Sequence, residues 1–128
     1  MKRTLIVIAV LVSGIAVFVD AQSWMPDDAQ IAKLESSVKL EQLPYWKAQH
    51  LPALNRYSRY YLGSSVNGER VILAEFVLGF DAKQGPGTHV VAGKRDFPVI
   101  MDGGCSVINA VYSLREEKII SMQCNGRA

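Results

Sequence analysis

Two cysteines, Cys105 and Cys124, bracket the last strand-like stretch of this 128-residue chain, and it has no others. Their separation restricts what the C-terminal third can become. If Cys105 faces Cys124 across a hairpin, Val107 meets Met122, Val111 meets Lys118 and Tyr112 meets Glu117. Ser113-Leu114-Arg115-Glu116 is then left as a four-residue loop, a normal hairpin connection. Facing residues of a non-hydrogen-bonded pair lie about 4.5 Å apart at Cα, within disulfide range. Turn length and cysteine spacing thus agree, and a bridge closing this loop stabilises a fold by about 3 kcal/mol. Two buried free thiols are the alternative. No Cys-x-x-Cys spacing is present, so a catalytic redox pair is not expected.

A disulfide persists only where the surroundings are oxidising, and the other end of the chain speaks to that. Lys2 and Arg3 precede an uncharged apolar run, Leu5 to Val19, and Val19-Asp20-Ala21 follows with small residues where a signal peptidase inspects. This reads as a secretory signal over residues 1–21 and a periplasmic or secreted location. The run is shorter than the ~20 residues a spanning helix needs, so no membrane span is expected after cleavage. An uncleaved anchor is the other possibility. Without Lys2, Arg3 and Asp20, the 14 Lys+Arg and 12 Asp+Glu leave a net charge of +1. A nucleic-acid partner, which usually demands a basic excess, is not expected.

Residues 22–44 read as an N-terminal segment with a short helix, capped by Asp27 or Asp28 and running through Glu35 with Ile31 and Leu34 inward. Residues 45–128 read as one α+β domain. Its main helix is expected from Pro52 to Leu62, with Pro52 in the first turn, Leu51, Leu54, Ser58, Tyr61 and Leu62 along one side, and Gly63 as the stop. Strands are expected from Arg70 to Phe80, from Thr88 to Ala92 with Phe97 to Met101 continuing it, from Cys105 to Tyr112 and from Glu117 to Cys124. The fold class that follows is α+β, a helix packed across a curved four-stranded antiparallel sheet.

Both faces of those strands carry hydrophobic residues. A single helix covers one, so the other needs a lid, a small apolar ligand, a protein partner or a second copy in a homodimer. Phe76, Ile108, Tyr112 and Ile119 are the expected lining of that binding face. The competing arrangement folds the N-terminal segment, with Trp24, Tyr45 and Trp46, back over it. Glu75 interrupts an apolar strand. Its default position faces solvent, and the alternative is a buried acid with a raised pKa. Catalytic residues, a metal site and a cofactor are not expected: His50 and His89 lie in no ligand-spaced pattern, and Ser106 and Ser121 lack a nucleophile elbow. An enzyme would have to use His89 with Asp102. The chain therefore reads as a non-enzymatic binding domain.

His89-Val90-Val91-Ala92-Gly93 resembles the Gln-x-Val-x-Gly hairpin of the secreted cystatins, and the Cys105/Cys124 hairpin is similar to that family's terminal disulfide hairpin. The resemblance covers residues 51 to 124. It implies a cystatin-like shape, shared by nuclear-transport-factor-like domains, and a second function: inhibition of papain-like cysteine proteases. His89 to Gly93 would then wedge into the protease cleft beside a loop at Met101 to Gly104, with Asp102, Gly103 and Gly104. Here the motif follows the Asp81 to Gly87 turn instead of joining the first two strands, and no Pro-Trp marks the second hairpin.

Overall fold

The structure is a computed structural model, and it describes residues 7–12, 15–20, 24–44, 46, 50–79, 85–98, 100 and 103–126. Strands β1 (Val7–Val12) and β2 (Ile15–Asp20) pair antiparallel as a two-stranded sheet. The first helix, α1 (Asp28–Ser37), has a reciprocal cap. The Gln30 amide donates to Asp27 Oδ1 (2.8 Å) and the Asp27 amide to Gln30 Oε1 (2.9 Å). It buries Ile31 and Leu34.

The remaining strands are β3 (Ser58–Val66), β4 (Glu69–Val77), β5 (Gly87–Val90), β6 (Gly104–Ser113) and β7 (Lys118–Asn125). They form one sheet in the order β5-β3-β4-β6-β7, with β5 parallel to β3 and every other pair antiparallel. This overturns the expected four-stranded antiparallel sheet under a helix at 52–62. That stretch is one 3₁₀ turn, Leu54–Arg56, followed by β3.

The physical reason lies in Tyr57 to Tyr61 and in Asn67-Gly68. Three tyrosines in five residues favour a pleated, half-buried surface. Asn67 (φ 51°) and Gly68 (φ 78°) form the two-residue loop between Val66 and its partner Glu69, the positive-φ pair of a tight hairpin. Gly63 is therefore not a helix stop. It lies within β3, where a Cβ would collide with the Trp24 carbonyl and come within 2.8–2.9 Å of the indole ring. Trp24 Nε1 donates to the Ser64 carbonyl (3.0 Å), and the Arg70 guanidinium lies 4.9 Å above the ring centre.

The terminal hairpin keeps a four-residue turn, but over 114–117. Its register pairs Ile108 with Cys124, Val111 with Ser121, Tyr112 with Ile119 and Ser113 with Lys118. The expected pairs of Val107 with Met122, Val111 with Lys118 and Tyr112 with Glu117 are absent. Irregularities between Gly104 and Ile108, and an extra residue at Ile120, shift the ladder. Cys105 and Cys124 are nonetheless disulfide-bonded, with Cα atoms 4.5 Å apart.

One face of the five-stranded sheet carries the main core: Tyr57, Tyr61, Ile72, Phe76, Ile108 and Tyr112, closed by Ile31, Leu34 and Leu43. Trp24, Leu40, Trp46, Leu51 and Leu54 complete the cover. Arg59 and Tyr61 tie α1 to this face through one carboxylate, with Arg59 Nε 2.5 Å and the Tyr61 hydroxyl 2.6 Å from Glu35 Oε2.

Candidate functional site on the outer sheet face

The strand directions decide what happens on the opposite face. β3, β5 and β6 all run one way. The chain leaves β5 at its C-terminal end and must enter β6 at the other end of the sheet, so the connector, described at 91–98, 100 and 103, leads back along the strands. Val91, Phe97 and Ile100 pack on Tyr60, Val77 and Val107 beneath this connector. The Asn125 Nδ2 donates to the Ile100 carbonyl (2.7 Å) and pins its far end. The half near the Asn67-Gly68 turn has no such cover among the described residues. Val66 is 48% and Ile120 46% exposed there. A depression of about 510 Å³ lies between them, lined by Val66, Glu69, Val71, Ser113, Arg115 and Ile120. Arg115 Nη1 and Glu69 Oε1 close its rim at 2.6 Å.

At mid-height the registers line up one residue from each strand on this outer face: His89, Tyr60, Glu75, Asn109 and Gln123. All five have hydrogen-bonding side chains. Tyr60 and Glu75 are buried, His89 and Asn109 half-buried and Gln123 exposed. The His89 ring lies tilted on Tyr60, centroids 5.0 Å apart, and its Nε2 is 3.4 Å from the Gly85 carbonyl, a donor when it carries the proton. Burial pushes the Glu75 carboxyl up to about 7. Burial first, and then the Glu75 charge, raise the Tyr60 hydroxyl. A second depression, of about 250 Å³, adjoins the row, with Leu73, Val111, Ser121 and Gln123 as its sheet side and Lys94 and Phe97 from the connector as its wall.

The residues expected to line an open binding face lie elsewhere. Phe76, Ile108 and Tyr112 are 0–1% exposed in the main core, and Ile119 packs against them. The register brings them together, Phe76 beside Ile108 and Tyr112 beside Ile119. The N-terminal segment fills the space above them, so that face is interior. Tyr45 lies outside the described residues.

The segment resembling the cystatin motif forms the end of β5 and its exit. Val90 packs into the main core, Val91 into the outer cluster, Ala92 is exposed, and the Gly93 amide donates to Asp96 Oδ2 (3.2 Å). Gly103 (φ 79°) and Gly104 (φ 55°) open β6, at the opposite end of the strand direction. Inhibition by a paired wedge needs both at one end. Asp102 and Met101 lie outside the described residues. Phe97, expected in a strand, follows the 3₁₀ turn Lys94–Asp96.

His89 and Glu75 stand on strands separated by β3, about 10 Å apart at the usual strand spacing, so neither can pass a proton directly to the other. No group of three or more His, Cys, Asp or Glu suited to a metal ion occurs among the described residues. No helix among them is long and apolar enough to cross a membrane. The chain matches no protein-family model, no curated protein and no solved structure.

The row was hidden from sequence reading because its members are scattered over five strands. Glu75, a lone acid inside Arg70 to Phe80, was the one signal for it. Asn109 and Gln123 become neighbours only through the shifted register of the last hairpin.

Proposed function

We propose that this chain is an exported, disulfide-stapled, non-enzymatic binding module that recognises a protein partner through its outer sheet face. The observation that carries the reading is the uneven cover of that face. The connector shields one half, while Val66 and Ile120 stand about half exposed on the other, around a depression with a charged rim. Apolar side chains rimmed by polar ones are the usual anatomy of an interaction site. The mid-height row supplies donors and acceptors beside them, which gives orientation to a partner laid across the strands. Export is supported by the basic and then apolar N-terminus and by the Cys105–Cys124 bridge.

The test is photo-crosslinking in the host. A benzophenone side chain replaces Val66 in one version of the full chain and Ala32, exposed on α1, in another. Adducts from position 66 above those from position 32 support the reading, and equal or absent adducts at both overturn it. Export is checked separately on material from the cell envelope. An N-terminus near Gln22, and cysteines that resist alkylation until reduced, are the expected results.

A further inference from the structure

A second surface lies at the sheet edge. β7 pairs with β6 on one side and with no described strand on the other, so the row of backbone N–H and C=O groups along that side has no ladder partner. Residues 118–125 contain no proline and no acidic side chain. A groove of about 370 Å³ runs beside this edge. Its floor is Lys118, Ile119, Ile120, Ser121 and Met122, and its opposite wall is Ser37 at the end of α1 with Lys39 and Gln42 beyond it. Two lysines and no carboxylate line it. Lys118 Nζ is held only loosely, 3.7 Å from Glu116 Oε1 and 62% exposed. Lys39 is exposed and makes no ion pair with any described residue.

We infer that this groove takes an extended acidic segment of another protein, added to β7 as a sixth strand. Strand addition to an open edge draws affinity from main-chain hydrogen bonds and selectivity from pockets for alternate side chains. Side chains of one parity on the added strand would face the groove, and acidic ones among them would come under Lys39 and Lys118. The extra residue at Ile120 bends the edge locally, leaving 121–124 as the regular stretch that pairs. This groove shares Ile120 with the outer-face depression but not Val66, so substituting Val66 leaves it intact.

The experiment uses the full chain and three synthetic eight-residue peptides: alternating valine and glutamate, alternating valine and lysine, and the glutamate peptide N-methylated at every second residue. Amide hydrogen exchange is followed along β7. The expected result is at least tenfold slower exchange over 121–124 with the glutamate peptide alone, and a preference for the lysine peptide in the Lys39→Glu, Lys118→Glu double variant. Unchanged exchange overturns the inference, as does equal protection by the glutamate and lysine peptides. Protection that grows with protein concentration in the absence of peptide also overturns it, because a second copy then occupies the edge.

Discussion

Glu75 is a carboxyl at the centre of the outer face, 8% exposed, between Tyr60 on β3 and Asn109 on β6. Its proton is retained to about pH 7, against an ordinary value of 4.5, because burial disfavours the charged form. Between those two values the folded chain binds more protons at this site than the unfolded chain does. This site's contribution to stability is therefore most favourable below about pH 4.5, falls as pH rises through the interval, and levels off above about 7. The loss is on the order of 3 kcal/mol. In urea unfolding, the parent should lose stability between pH 5 and pH 8, and Glu75→Gln should flatten that decline. An equal decline in both would remove Glu75 as its source. Sequence reading placed this acid in solvent by default. Its outer-face neighbours Tyr60 and Val77 pack with Phe97 and Ile100 of the connector, residues far along the chain that no local pattern brings together.

The β3–β4 hairpin shows how local signals compete. Leu51, Leu54, Ser58, Tyr61 and Leu62 fit a helical period, and Gly63 follows as a plausible stop. The same residues also fit a strand buried on both faces, with Tyr61 on the core side and Tyr60 and Leu62 on the other. Periodicity does not separate the two for so short a run. The Asn67-Gly68 dipeptide does, since its positive-φ pair joins strands with a right-handed twist. Gly63 then has a different purpose: it lets Trp24 lie against β3. Gly63→Ala should destabilise the protein by about 1–3 kcal/mol through overpacking. Urea denaturation read by Trp24 fluorescence would measure it, and an unchanged midpoint would mean that the indole does not rest there. Element ends elsewhere were easier to read, because Asp27 advertises the start of α1 through its own side chain.

At the level of the molecule, one topological fact divides the two faces. The N-terminal segment fills the inner one and the β5–β6 connector covers part of the outer one. The inner residues should therefore behave as core. Phe76→Ala is expected to destabilise the fold by about 3–5 kcal/mol in chemical denaturation. A stable, well-folded Phe76→Ala protein would return that face to the role of an open binding surface. The cysteine pairing, the strand-rich C-terminal half and the presence of two apolar strand faces were all decided by the sequence. Each depends on residue type, spacing and alternation, which are local quantities. Which face is interior, that β5 joins parallel to β3, and that five polar side chains meet in one row were decided only by the tertiary structure. Strand order and register are set by the mutual fit of distant segments, and a bulge at Ile120 or a connector of thirteen residues moves a side chain across the sheet without leaving a mark in the local pattern.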